Sequence, residues 1–259
     1  MATTGMGEAS RTAGAKDSMP PVLLLAGGLG TRLRPLTDRV PKCLVPVAGR
    51  PLLDYWDASF VRHGVREVVI NLHAHRGQVV DWLAERNARG PVKWEGFEEP
   101  ELLGSAGTLR ANLERLERGP DFIVLYADNL SEVDLRSLVA AHRDRGADFT
   151  MGLFETPSPS ACGIATLSDD GRISSFIEKP ANPTSNLANA GVYAVRSGFM
   201  AEFLRADDFD LGHDVLPRLV GRMHGWSIKG YHRDVMSVES LAAIEADLSA
   251  GLAPRLNVP

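Results

Sequence analysis

An apolar run, Val22-Leu23-Leu24-Leu25, passes directly into Ala26-Gly27-Gly28-Leu29-Gly30-Thr31-Arg32-Leu33-Arg34-Pro35-Leu36-Thr37. A buried strand that stops at such a loop can bring backbone N–H groups close to phosphate oxygens, because glycine has no Cβ to block the approach. Arg32 adds full positive charge inside the loop. Lys42 adds it again ten residues later, in Pro41-Lys42-Cys43-Leu44-Val45-Pro46-Val47. Two familiar phosphate loops do not fit. A P-loop requires Gly-Lys-Ser or Gly-Lys-Thr after its glycines, and here Arg32 follows Thr31. A dinucleotide fingerprint requires Gly-x-Gly-x-x-Gly, and Leu33 occupies the last position.

Elements read from hydrophobic periodicity place this loop early in an alternating chain. Strands are expected at 22–26, 67–72, 92–97, 122–126 and 148–154. Helices are expected at 51–63 (closed by Gly64), 77–87, 105–116 and 135–145. Such alternation implies a mostly parallel, Rossmann-like sheet flanked by helices. After about residue 155 the rhythm changes. Strands at 164–167 and 173–177 flank the turn Ser168-Asp169-Asp170-Gly171, a hairpin signal. A strand at 187–195, helices at 199–204 and 215–220, a strand at 226–231 and a closing helix at 238–248 complete a smaller α+β elaboration.

The expected organisation is a flexible tail at 1–19, one domain at 20–250 and a short tail at 251–259. Within the domain, residues from about 20 to 155 form a first half and 156–250 a second. No internal repeat is visible, and no C-terminal hexapeptide repeat follows the last helix, so a simple catalytic unit is expected.

Composition narrows the partners. A length of 259 residues with 44% hydrophobic content suffices for a substantial core. The net charge of −5 opposes a nucleic-acid or anionic-membrane partner, since the field has the wrong sign. The two cysteines, Cys43 and Cys162, form no CxxC pair, and the reading is free thiols in a reducing cytoplasm. The first 19 residues carry no apolar segment of the signal-peptide type, and nothing approaches a membrane span.

Together, Gly-Gly-x-Gly-Thr-Arg-Leu-x-Pro-Leu-Thr and Pro-Lys-x-Leu-x-Pro-Val resemble the signature of the sugar-1-phosphate nucleotidyltransferases. The resemblance runs from about Pro21 to Leu248. It implies that a sugar-1-phosphate oxygen attacks the α-phosphorus of an NTP and that pyrophosphate leaves. Catalysis of that kind rests on positioning and charge neutralisation, not on an enzyme nucleophile.

Residue by residue, the resemblance implies that Leu25, Ala26, Gly27, Gly28, Gly30 and Thr31 cradle the nucleotide, with Arg32 and Lys42 on its phosphates. Asp128 ends the apolar strand Phe122-Ile123-Val124-Leu125-Tyr126-Ala127, at the carboxyl edge where α/β sheets carry ligand groups. It is the expected Mg²⁺ ligand, although Ala127-Asp128 replaces the usual Gly-Asp. Asp234 is the expected second ligand. Its segment, Asp234-Val235-Met236-Ser237-Val238-Glu239, resembles Asp-x-Gly-Thr-x-Glu but carries Met236-Ser237 in place of Gly-Thr. Ser237 and Ser240 offer a helix cap there, and the rival carboxylate Asp214 reads as the start of a helix.

On the acceptor side, Glu178-Lys179-Pro180 resembles the family's Glu-Lys-Pro, with Lys179 on the sugar phosphate and Glu178 on sugar hydroxyls. Gly163 and Asn189, the latter in Asn189-Ala190-Gly191-Val192-Tyr193, are expected beside them. The stretch from Glu98 to Leu109 resembles a loop of the mannose- and heptose-1-phosphate guanylyltransferases. It nominates Glu99 and Gly104 for the base, with GTP as donor, because a carboxylate accepts from guanine N1–H and its amino group.

The implied partners are an NTP and a sugar-like 1-phosphate, hexose, heptose or cyclitol, with homo-oligomerisation left open. Two alternatives stand beside this. One is a non-catalytic NDP-sugar-binding regulatory paralogue, against which Arg32, Lys42 and Asp128 are all retained. The other is a transferase using dTTP, UTP, ATP or CTP, or a non-sugar acceptor. The histidines read as loop or structural residues, since none has a partner at zinc spacing.

Overall fold

The computed structural model describes residues 18–256. The expected N-terminal tail therefore lies almost wholly outside the described residues. The core is a nine-stranded sheet made of β1 (Val22–Leu25), β2 (Glu67–Leu72), β3 (Lys93–Glu98), β4 (Asp121–Tyr126), β5 (Phe149–Glu155), β6 (Gly163–Leu167), β7 (Ile173–Glu178), β8 (Leu187–Arg196) and β9 (Met223–Ser227). Its long helices are α1 (Leu52–His63), α2 (Arg76–Arg89), α3 (Gly104–Leu116), α4 (Leu135–Asp144) and α5 (Val238–Ser249).

The strand order is β7-β6-β8-β4-β1-β2-β3, with β5 paired to β8 and β9 paired to β5. The first half of the chain supplies the parallel block. β1 runs parallel to both β4 and β2, and β2 runs parallel to β3. Each of these crossovers includes a helix, as the alternation predicts. β8 joins β4 antiparallel, and the β6–β7 hairpin continues from it. This is the expected α/β sheet with an α+β extension.

Alternation along β1 shows why both faces are covered. Val22 and Leu24 point into one cluster with Trp56, Phe60, Trp94 and Leu138; Leu23 and Leu25 point into another with Leu109, Leu116 and Tyr193. A strand buried on both sides needs apolar residues at every position, which is what the run from Val22 to Leu25 provides.

An aromatic group braces α1, α2 and β3. Phe60 lies 5.8 Å from the Trp56 ring and 5.6 Å from Trp94, and Trp82 meets Trp94 edge-on at 4.9 Å. Trp56 Nε1 donates to the Ala127 carbonyl at 3.2 Å, tying α1 to the end of β4. α1 stops at Gly64, whose φ of 76° lets its N–H return to the Phe60 and Val61 carbonyls.

Four expectations are corrected by the fold. Helix 199–204 is only a short 3₁₀ turn, Met200–Glu202. Helix 215–220 is replaced by a π turn, Leu211–Val215, running into a 3₁₀ turn, Leu216–Leu219. Pro217 sits in the first turn of the 3₁₀ segment, where a missing N–H is tolerated. Strand 226–231 is displaced: β9 ends at Ser227, and a separate strand, His232–Asp234, pairs antiparallel with Asn129–Ser131. The break falls at Gly230, where a Cβ would come within 3.0 Å of Glu132 Oε2. Finally, residues 251–256 do not behave as a tail, since Ala253 and Leu256 are buried in a third cluster beneath α5.

Phe60 is fully buried and packs on Trp56 and Trp94, so Phe60→Ala is expected to cost about 3–5 kcal/mol of stability. Urea denaturation followed by far-UV circular dichroism measures this.

Candidate functional site

Two cavities open along the carboxyl edge of the parallel strands and meet at Tyr126, Asp128 and Asp210. The first, of about 220 Å³, is floored by Leu25, Ala26, Gly27 and Gly28 and walled by Asn71, Gly104 and Thr108. The second, of about 200 Å³, is bounded by Gly163, Glu178, Lys179, Asn189 and Asp234. Residues far apart in sequence converge here because β1, β4 and β8 are neighbours in the sheet.

The glycine loop is held open by its own architecture. Ala26 N–H donates to Asn71 Oδ1 at 2.6 Å, so the loop leaves the sheet under the control of β2. A Cβ at Gly27 would collide with Asn71 Nδ2, which explains the glycine sterically. Gly30 has a φ of 62°, and its carbonyl accepts from Thr37 Oγ1 at 2.8 Å. Gly30, Thr31 and Arg32 do not line either cavity. Gly30 and Thr31 shape the turn, while exposed Arg32 reaches across it, with Nη2 3.8 Å from Met236 Sδ.

Lys42 is presented by the 3₁₀ turn Lys42–Leu44, which is anchored by buried Cys43. Its Nζ donates to Asp128 Oδ2 at 2.6 Å, and only 11% of the lysine side chain is exposed. Asp128 lies between β4 and the short strand Asn129–Ser131. On the partner strand, Asp234 stands opposite Asn129, and Val235 N–H donates to the Asp128 carbonyl at 2.8 Å. The two carboxylates therefore share one edge. Crowding by protein and the charge of Asp128 push Asp234 up to about 7, against the opposing pull of Lys42 and Arg32.

Among the described residues no group of three or more His, Cys, Asp or Glu side chains is placed to hold a metal. Mg²⁺ does not require one. It binds through one or two carboxylates when phosphate oxygens and water complete its shell. Asp128 and Asp234, at one end of the neighbouring short strands, fit that requirement.

His232 lies next to this pair, with Nε2 3.9 Å from Asp234 Oδ1. Burial pushes it down to about 4, its ring packs 4.5 Å from Phe154, and its Nδ1 lies 3.0 Å from Ser131 Oγ. The ring is thus built into the fold, as the structural reading expects. Asp214 accepts from the N–H groups of Phe209 and Asp210, at 2.9 and 2.8 Å, and braces a turn outside both cavities. Ser237 caps α5 in a reciprocal box with Ser240, so Met236-Ser237 forms a capped helix start.

In the second cavity, Lys179 takes a φ of 47°, and its N–H donates to the Cys162 carbonyl at 3.1 Å. Its Nζ stays 3.5 Å from Glu178 Oε1, with 58% of the side chain exposed. Gly163 leaves room for Glu178, since a Cβ there would sit 2.5 Å from Glu178 Oε2. Asn189 is partly committed to the fold. Its Oδ1 accepts from Gly191 N–H at 3.0 Å, and its Nδ2 donates to Tyr193 Oη at 2.8 Å.

Glu99 sits elsewhere than its expected role implies. It borders a neighbouring depression with His73, His75 and Arg76, not the first cavity. It is 3% exposed; Oε1 accepts from Thr108 Oγ1, and Oε2 is buried without a hydrogen-bond partner. Thr108 thus stands between Glu99 and the cavity.

Asn71, Tyr126, Thr108 and Asp210 were missed from sequence. Asn71 had one signal, a lone amide closing the apolar run Val68-Val69-Ile70. Among the described residues, no helix is long and apolar enough to cross a membrane.

The family profile described as nucleotidyl transferase matches residues 21–250. A mannose-1-phosphate guanylyltransferase of Mycobacterium tuberculosis is 29% identical over 236 residues, covering 90% of this chain and 65% of its own length. A glucose-1-phosphate adenylyltransferase of Thermotoga maritima is 33% identical over 244 residues, covering 84% of this chain and 58% of its own. The chain thus spans less than two thirds of the length of these relatives. The crystal structure of HddC from Yersinia pseudotuberculosis superposes with a TM-score of 0.76 at 24% identity, over 89% of this chain and 100% of that one, and supports the fold.

Asn71→Ala leaves the Ala26 N–H without its partner, a loss of about 1–3 kcal/mol for a shielded donor. The expected outcome is a lower melting temperature with nucleotide affinity weakened about 10-fold. Calorimetric titration with NTPs checks it, and unchanged affinity would limit the bond to a stabilising role.

Proposed function

The chain belongs to the nucleotidyl transferase family, and on that premise we propose that it transfers a nucleoside monophosphate from an NTP to a sugar-like 1-phosphate. The observation that carries this reading is the meeting of the two cavities at Asp128, one floored by the glycine loop and the other edged by Glu178 and Lys179. A reaction between two phosphates needs its donor and acceptor on either side of one charge-neutralising centre.

On this reading the backbone of residues 25–28 and the side chain of Lys42 receive the triphosphate. Arg32 swings onto it from the loop edge. Lys179 holds the acceptor phosphate as a point charge, and Glu178 takes ring hydroxyls. An acceptor phosphate oxygen forms a bond to the α-phosphorus. The bond from that phosphorus to the bridging oxygen breaks, and pyrophosphate carries away the electron pair. No proton need move to or from the protein. Asp128 and Asp234 would hold Mg²⁺, which neutralises charge on the reacting phosphates when bound.

GTP is the proposed donor. Its support is the guanylyltransferase among the relatives. The adenylyltransferase relative favours ATP as the second reading.

Pyrophosphate release with Mg²⁺, crossing the common NTPs against mannose-, glucose- and heptose-1-phosphates, tests the proposal. Release is expected with GTP and one sugar phosphate; nucleotide binding without release under any acceptor would favour a regulatory binding protein. In the same assay Asp128→Asn should lower turnover at least about 100-fold with the fold intact. Full activity in that variant would overturn the metal assignment.

A further inference from the structure

The short strand that carries Asp234 also carries a histidine with one ring nitrogen left over. His232 stands opposite Ser131 and Asp234 opposite Asn129, so the two lie two residues apart on one strand. Side chains at that spacing leave from the same face. The His232 side chain is 1% exposed, and its Nε2 is buried without a hydrogen-bond partner. Asp234 Oδ1 stands 3.9 Å from that nitrogen. The gap is too long for a hydrogen bond, and a turn of the carboxylate about its last torsion, which has a broad range, closes it. A buried donor without an acceptor destabilises a fold, so its retention beside a site carboxylate calls for a use.

The rest of the ring is fixed. Phe154 packs on it with centroids 4.5 Å apart, and Nδ1 lies 3.0 Å from Ser131 Oγ. Ser131 Oγ accepts from Val133 N–H at 3.2 Å, which leaves the hydroxyl hydrogen for Nδ1. The ring hydrogen then sits on Nε2, toward Asp234. The opposite tautomer would turn a nitrogen lone pair toward a carboxylate. A protonated ring also carries a hydrogen on Nε2, so the direction of this donor does not depend on the charge of the ring. Lys42 is not free for the same task, because its Nζ is committed to Asp128 Oδ2 at 2.6 Å.

We propose that His232 is a positioning residue for Asp234, its Nε2–H holding Oδ1 so that the other carboxylate oxygen faces the cation site shared with Asp128. The proposal rests on the reading of Asp128 and Asp234 as the Mg²⁺ carboxylates. His232 lines neither cavity of the site and acts through the aspartate alone. A carboxylate held by one oxygen loses less freedom when the other meets a cation, which is how a neighbouring donor raises metal affinity.

The test titrates the full chain with Mn²⁺ alone and follows the electron paramagnetic resonance of the free ion. His232→Phe keeps a ring against Phe154 and removes the donor. His232→Gln places an amide N–H near the position of ring Nε2. The expected result is a Mn²⁺ dissociation constant raised about 10-fold or more in His232→Phe and kept within about 3-fold of wild type in His232→Gln. Far-UV circular dichroism checks that both variants are folded. Beside Asp234→Asn, adding His232→Phe should change the constant by less than about 2-fold, because a residue that works through Asp234 has nothing left to position.

Equal Mn²⁺ affinity in wild type and His232→Phe overturns the assignment. Equal weakening in both His232 variants also overturns it and leaves the histidine a packing residue only, as does an effect of His232→Phe that persists undiminished beside Asp234→Asn. A wild type that binds no Mn²⁺ overturns the metal reading of the two carboxylates itself, and is distinct from a wild type that binds the ion while its His232 variants are unmoved.

Discussion

The ion pair between Lys42 and Asp128 is the contact on which the site's geometry turns. It joins the segment after the glycine loop to the carboxyl end of β4, 86 residues away, at 2.6 Å. A lysine this shielded would be costly without a partner. The partner in turn fixes where the loop can lie, because Lys42 is carried on a short turn anchored by buried Cys43. On one side of the pair lies the cavity floored by glycine backbone. On the other lies the cavity edged by Glu178 and Lys179. A shift of this pair would move the boundary between the two.

Charge is deliberately unbalanced around that boundary. Asp128, Asp234, Glu178 and Asp210 crowd one region, while Lys179 and Arg32 lie largely in solvent. Burial, and after it the charge of Asp128, raises the pKa of Asp234. Under the transferase reading, the exposed cations and a divalent ion gather on incoming phosphates, whose charge the carboxylates alone would repel. The same arrangement divides the labour between substrates. On that reading cations and backbone N–H groups meet phosphates, and Glu178 meets ring hydroxyls.

Much of this was legible in the chain. The strand-to-glycine-loop passage, the acid at the end of β4 and the Glu-Lys-Pro turn are local patterns, and all three lie where the alternation of elements predicts. Ser237 was legible as a cap because capping depends on residues three positions apart. Local pattern misled where long-range packing decided the outcome. From Trp226 to Tyr231 the residues read as one strand, yet β9 stops at Ser227 in its pairing with β5 and the next strand starts only at His232, against Asn129–Ser131. Glu99 was read as facing the nucleotide, but Thr108 on α3 holds it outside the first cavity's wall.

The sequence by itself determined which backbone could approach phosphate and which strand ends carry charge, since glycine placement, strand periodicity and proline position act over a few residues. Only the tertiary structure decided which side chains share a cavity. Asp210 reaches the seam through Ser105, 105 residues away, and Asn71 governs the loop at Ala26 from a neighbouring strand. The physical reason is the sheet order. Placing β1 between β4 and β2, and β8 against β4, sets distances that no local propensity encodes, and hydrogen bonds are formed or lost over fractions of an ångström.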